Sequence, residues 1–448
     1  MEARTDIAPV PRKPAASVRR KIRERLARVP LIGWLVGMLT AALIEYFFGL
    51  PFARALGLSK VPLLFGTDII SIVLKSPALL PSTLAYVLLV YIAPTILVGA
   101  STHSLANRLA EILQRLPGGT SLLVHLGVFY ATIHIWSGLN VYRVLILKLM
   151  LIAVMATLSL NVINGYMGEF SCSHPGFLAI GAYTSSVLTV LLFVNDDVFG
   201  APLLPPAIGP FLFPVVLIIG GIMAAVGALA VAIPSFRTRG DYLAIISLAF
   251  MFIVKSSIEN MEIIGGPRGF MNQPDWASLP AVFIWAVVCV WVVNNFVRSI
   301  LGKALNAVRD DEIAANAMTV DTRKTKMVAF LFAAFWAGVA GGLLAHVMRY
   351  VNPGTFGVHK LAEVLAMLYF GGLNSVVGSV VGAVGFTLFS EALRPLEIYK
   401  WIIIPVLLML VMMFRPTGLL AFKELEPRKI VEPRRKPERE VEHAIASD

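Results

Sequence analysis

Charge is scarce in this chain. Only 15% of its 448 residues are charged, 57% are apolar, and the mean hydropathy is +0.79. So few charges cannot cover a soluble surface of this size, which excludes the ordinary soluble enzymes and leaves a polytopic helical membrane protein. The apolar runs are continuous and do not alternate, which excludes a transmembrane β-barrel. Cysteine is nearly absent as well. Cys172 falls in a loop and Cys289 in mid-span, so no disulfide is expected and the redox compartment cannot be read. The net charge of +11 invites a nucleic-acid partner, but the basic residues cluster in tails and loops, as they do on the inner side of membrane proteins. No nucleic-acid partner is expected.

Catalytic chemistry is missing too. No GxxxxGK[ST] loop occurs; Gly302-Lys303 lacks the upstream glycine and the following hydroxyl, so the chain does not bind ATP by that route. His125 and His134 have neither i,i+3 nor i,i+4 spacing, and there is no HExxH, CxxC or cluster of carboxylates. No metal or cofactor is expected. A GxSxG elbow is also lacking, and the chain is not expected to be an enzyme. Lys148 and Lys255 fall near outer span ends, Glu45 lies near a span end and Glu363 opens an apolar segment. These read as interfacial anchors and not as a proton relay, so energy coupling is expected to come from outside the chain.

What is present is a series of membrane-length runs. A span needs roughly 20 apolar residues to cross a ~30 Å hydrocarbon core. Such runs occur near 31–50, 79–100, 143–163, 177–194, 211–233, 241–258, 279–297, 327–347 and 400–414, with shorter candidates at 121–136 and 361–390. Gly371, Gly372 and Asn374 break the last of these, which reads as a helical hairpin entering and leaving on the outer side. The expected fold is all-α, with about ten transmembrane helices plus that hairpin. Residues 62–74, apolar but holding Asp68, read as interfacial or re-entrant. Glycine and alanine four apart (Gly33, Gly37 and Ala41; Gly338 and Gly342; Gly378 and Gly382) fit either packing within the subunit or a subunit interface.

The basic residues orient these spans. The first 30 residues hold nine Lys/Arg against three acids and read as a cytoplasmic tail before an uncleaved span. Loop 195–210 has no Lys or Arg, and loop 259–278 has only Arg268. Arg298–Met327 holds six basic and four acidic residues between two spans, which places this charged island on the cytoplasmic face. Residues 423–448 carry seven basic and seven acidic residues without apolar periodicity and read as a solvated tail. Both termini are therefore expected inside. Only the outer stretch 51–77 departs from the charge rule.

Three segments rise above this background. Residues 161–183 link two spans and hold Asn161, Asn164, Gly165, Gly168, Glu169, Ser171, Ser173, His174 and Gly181. Helix breakers and hydroxyls at membrane depth fit a buried or cavity-lining substrate route, and they fit a plain cytoplasmic turn equally. Next, Asp241 suits the N-cap of the helix that follows Arg237 and Arg239. Third, Gly265-Gly266-Pro267-Arg268-Gly269 is a rigid outer turn, read either as a loop turn or as a ligand or docking contact. Within the island, Arg309–Met318 reads as one short helix with Asp310, Asp311 and Glu312 in its first turn. Ala314, Ala315 and Ala317 would form a slim face for a partner's groove.

Taken together, GYMGEFSCSHPGFLAIGAYT, RTRGDYLAI, IIGGPRGF and LGKALNAVRDDEIAANAMTVDTRKTKMVAF resemble, in this order, the M-type permeases of bacterial branched-chain amino acid ABC importers. The resemblance covers roughly residues 140–420. It implies an inner-membrane permease for branched-chain or related hydrophobic amino acids, with urea, amides or small carboxylates as alternative substrates. It also implies an H-type second permease, two cytoplasmic ATPases and a periplasmic binding protein, besides membrane lipid. Arg309, Asp310, Asp311, Glu312, Ala314, Ala315, Met318 and Thr319 then fall in the ATPase-coupling loop, and Gly266, Pro267, Arg268 and Gly269 at the outer gate. Two positions depart from the pattern. Thr319 stands where relatives have a helix-ending glycine, so a left-handed residue is expected to be lost and the turn reshaped. Glu169 stands where relatives have glutamine and adds a negative charge near the route. The expected division is tail 1–30, extension 31–140, permease core 141–420 and tail 421–448. The rival classes are a stand-alone secondary transporter and a membrane-embedded enzyme.

Overall fold

The computed structural model describes residues 26–27, 29–62, 76–115, 118–196, 198–236, 242–415, 418–422, 424–426 and 432. Among them the chain is helical, with two isolated β-bridges, Asp196 to Gly200 and Phe270 to Val351. Among the described residues nine helices are long and apolar enough to cross a membrane: α1 (Leu31–Ala55), α2 (Pro77–Ser101), α4 (Gly118–Ser137), α5 (Val141–Met167), α6 (His174–Phe193), α7 (Pro206–Ser235), α8 (Tyr242–Glu259), α9 (Leu279–Arg298) and α12 (Thr322–Met348). The chain is an all-α, multi-pass membrane protein. The interfacial piece expected at 62–74 and the Asp241 cap lie outside the described residues, apart from Pro62.

The chain divides into two compact units. The first includes α1, α2, the amphipathic α3 (His103–Arg115) and α4. Gly33 and Gly37 let α1 approach Ala106 and the Thr95 backbone, and α3 buries Ala106, Ala110 and Leu113 against Ile32. Glu45 is not an interfacial anchor. It is 2% exposed and accepts a hydrogen bond from the Tyr91 hydroxyl at 2.6 Å, which in turn receives Trp136 Nε1 at 3.4 Å. A carboxylate at this depth is tolerable because it is hydrogen-bonded.

The second unit carries the remaining spans, and α12 is its axle. Gly338 sits against Gly181 of α6 and Gly220 and Gly221 of α7, while Gly341 faces the Leu178 carbonyl and Gly342 meets Ser185. Without side chains at these points three backbones approach closely, which is how helices associate where lipid removes the hydrophobic driving force. Small residues four apart therefore serve packing within the subunit. Outward faces of α7 and α8, with Phe211, Val226, Ile245 and Ile253, stay exposed and apolar, as lipid contact requires.

After α12, α13 (Val358–Gly371) and α14 (Val376–Ala392) form the expected hairpin. Gly371 faces Gly378 and Met367 faces Gly382, so the two run antiparallel from a turn at Gly372–Ser375. The Ser375 hydroxyl accepts from Gly378 N–H at 2.9 Å and starts the second limb. At roughly 1.5 Å per residue each limb spans only about 21–26 Å, less than a bilayer core. The last helix, α15, is Lys400–Phe414.

Candidate functional site

The segment that breaks α5 is knotted, not open. Its last six helical residues, Val162–Met167, widen into a π-turn, which ends at Gly168 with φ +77°. Asn161, fully buried, explains much of this. Its Nδ2 donates to the Ser375 carbonyl at 2.9 Å and to Ser379 Oγ at 2.7 Å, and its Oδ1 accepts from Asn374 N–H at 3.1 Å. One side chain thus satisfies the backbone of the hairpin turn. Any Cβ at Gly165 would overlap Asn161 Oδ1 and crowd that same Asn374 nitrogen. Downstream, Asn164 Oδ1 accepts from Ser171 N–H at 3.2 Å, and the Ser171 and Ser173 hydroxyls are 2.8 Å apart. Ser159 Oγ meets His174 Nε2 at 3.0 Å. Cys172 N–H donates to Ser247 Oγ at 2.8 Å, and burial pushes the Cys172 thiol up from its ordinary range.

The charged island differs from the single helix expected over 309–318. Asp311 is extended (φ −159°) and splits it into α10 (Ile300–Asp310) and α11 (Glu312–Ala317). The Asp311 carboxylate accepts from Ile313 N–H at 2.9 Å and Ala314 N–H at 3.0 Å, so it caps the new helix instead of sitting inside one. At the other end Val320 N–H reaches the Ala315 carbonyl and Thr319 N–H the Asn316 carbonyl, both at 3.1 Å. This is the Schellman closure, whose left-handed position glycine favours. Thr319 holds it at φ +70°. The expected loss of a left-handed residue is therefore overturned: hydrogen bonds on both sides keep the turn in place against the side chain's preference. Ala315 is 5% exposed, which removes it from the expected docking face; Ala314 and Ala317 are exposed beside Ile313 (83%) and Met318 (77%).

These two regions meet. Lys326, in the first turns of α12, lies 2.5 Å from Glu169 and 2.8 Å from Glu312, so one ammonium joins the broken segment to α11. Gly168 is packed against the Arg309 side chain, which leaves no room for a Cβ. Arg309 also donates to Asp310 at 2.8 Å and stacks over Phe422 at 5.8 Å. Gly181 lies apart, in the α6–α12 seam. Lys326, Ile313 and Ser375 are not among the residues singled out in sequence, and Asn374 stands there only as a break in an apolar run; their contacts appear only in the fold.

The Gly265–Gly269 turn lies apart from these residues. Gly265, Gly266 and Gly269 take φ of +87°, +49° and +84°. A paired Phe270–Val351 bridge and a 2.8 Å bond from the Tyr350 hydroxyl to the Arg268 carbonyl fasten the turn to the loop after α12. Pro267 and Arg268 remain exposed. None of the nine residues expected along a substrate route lines the cavity of about 200 Å³ that opens between α5 and the hairpin.

Residues 142–414 match the family described as the permease component of the branched-chain amino acid transport system. The chain is 31% identical over 310 residues to the high-affinity branched-chain amino acid transport permease LivM of Escherichia coli, covering 61% of this chain and 69% of that protein. It is 24% identical over 316 residues to a probable LivM of Methanocaldococcus jannaschii, covering 60% and 90%. Similarity extends to the LivH permease of Salmonella typhimurium, 24% over 282 residues, covering 59% and 90%. No solved structure matches the chain.

Proposed function

We propose, since this chain belongs to the family of branched-chain amino acid transport permease components, that it is one membrane subunit of an ABC importer that brings branched-chain or related hydrophobic amino acids into the cytoplasm. It works beside an H-type second permease, two cytoplasmic ATPases and a periplasmic binding protein, in a bacterial inner membrane with both termini inside. Similarity to permeases of both the LivM and LivH kinds supports the paired arrangement. Residues 141–420 are the permease core, preceded by an extension over 31–140 and flanked by tails at 1–30 and 421–448.

The observation that carries this reading is Lys326 bridging Glu169 and Glu312. A partner that displaces α11 on ATP binding also displaces Glu312, and through Lys326 and the Arg309–Gly168 contact it moves the broken end of α5. Asn161 hands that movement to the hairpin turn. Alternating access then needs only rocking of packed helices, with the 161–174 segment as the inner end of the route and the Gly266–Gly269 turn as the binding-protein contact.

Co-reconstitution tests it. Vesicles holding both permeases, the ATPases and the binding protein should accumulate radiolabelled leucine only when ATP is supplied. Robust uptake by this chain alone in ATP-free vesicles would instead establish a stand-alone carrier.

A further inference from the structure

The geometry points to an amino-acid subsite within this subunit, in the cavity between α5 and the α13–α14 hairpin, that holds both charges of a zwitterion at its mouth and an aliphatic side chain at its floor. The inference rests on the function proposed above and deepens it. At about 200 Å³ the cavity is smaller than the roughly 300–1,000 Å³ of drug-sized sites, so it suits one small metabolite.

Its walls are graded along the helices. Lys360 and Glu363 stand near the start of α13, Glu391 near the end of α14 and Lys400 at the start of α15. Deeper along α13 the lining turns apolar with Val364 and Met367, and Ala153 and Ala156 of α5 and Leu178 of α6 complete that apolar wall. From Lys360 to Met367 is seven residues, or about 10 Å of rise, enough depth to take an extended leucine. The mouth lies far from the island: Leu344 lines the cavity, and Lys326 is 18 residues earlier on α12, about 27 Å away. In the orientation proposed above, the mouth faces the outside.

The charged side chains that line the cavity are of both signs, two lysines and two glutamates, with Arg394 pairing Glu391 from just outside the lining. An anion or a cation alone gains one partner and repels the other pair, whereas a zwitterion satisfies both. Lys360 and Glu363 pair at 3.0 Å, within reach of exchange for a bound carboxylate and ammonium. Glu391 is the fixed acceptor: the Tyr142 hydroxyl donates to it, and Arg394 Nη1 donates at 3.2 Å. Thr387 and Ser390 add hydroxyls to the same wall.

Equilibrium binding of radiolabelled leucine to the assembled permease–ATPase complex in nanodiscs, without binding protein, tests this. Leucine should bind saturably, and 3-methylbutylamine and 4-methylpentanoate, which each lack one charge, should compete about tenfold more weakly or worse. Lys360→Gln and the space-filling Ala153→Phe should each weaken leucine binding by about tenfold, in complexes that still co-purify with the ATPases. Absent leucine binding, equal competition by the single-charge analogues, or unchanged affinity in assembled variants each overturns the subsite. If the full wild-type system transports leucine with ATP while any of these holds, the subsite alone fails. If it transports no leucine at all, the proposed function fails first.

Discussion

A β-branched residue in the left-handed region is costly, by roughly 1–2 kcal/mol for an L side chain. Thr319 bears that cost at the end of α11, where a glycine would not. Thr319→Gly is therefore expected to raise the thermal midpoint of the purified protein by about 1–2 °C, read by intrinsic fluorescence; a fall would show that the side chain makes a compensating contact. Lys326 poses the opposite problem. Its side chain is 11% exposed, between Glu169 at 26% and Glu312 at 52%, so the Glu169 arm is the better shielded and the stronger. Removing the ammonium leaves two carboxylates facing one gap. Lys326→Gln should lower substrate-stimulated ATP hydrolysis by about tenfold, and Glu312→Gln by no more than about threefold. Equal effects from both would show that the bridge does not carry the movement. In sequence Glu169 shows only as an added negative charge; its partner is 157 positions away, and nothing in local spacing announces it.

At the scale of the element, the short helix divides its alanines. Composition predicts one slim face from Ala314, Ala315 and Ala317, but the break at Asp311 rotates the segment and turns Ala315 inward. A carboxylate followed by good helix formers fits a first turn and a cap equally well, and only the tertiary position of α10 decides between them. The exposed apolar side chains here are Ile313 and Met318, and they are the candidates for a partner's apolar groove. Ile313→Asp is expected to leave membrane insertion intact and abolish ATPase co-purification. Ala315→Asp should instead lower expression, because it buries a charge. If both variants keep the ATPases bound, α11 is not the docking element. Other elements were legible to different degrees. Long apolar runs marked eight of the nine spans within about five residues, and α4 showed only as a shorter candidate. The run at 400–414, read as membrane-length, is the 15-residue α15 and is not among the nine, and the Gly371-Gly372 break marked the hairpin. The amphipathic α3 escaped because half of its surface is polar, and the knot around Asn161 because its partners lie more than 200 residues downstream.

For the whole molecule, the question is which face is which, and charge is the only guide in the chain itself. Membership of the family was legible because its four motifs stand in order; the cavity was not, because its lining comes from six helices and no contiguous stretch describes it. The proposed orientation rests on asymmetry. The island holds six basic residues, whereas loop 195–210 has none and loop 259–278 has Arg268 alone. The proposed orientation has α12 leading from the island to the opposite face and the hairpin returning to that face, and it requires the 15-residue α15 to cross back. Two exposed positions test that orientation, Asn316 on α11 and Arg268 in the Gly265–Gly269 turn. In a background lacking Cys172 and Cys289, Asn316→Cys should react with a membrane-impermeant maleimide only in inside-out vesicles, and Arg268→Cys only in intact cells. Added ATPase should then protect Asn316→Cys and leave Arg268→Cys untouched. Labelling of Asn316→Cys from outside intact cells would invert the topology, and with it the island could not meet a cytoplasmic ATPase.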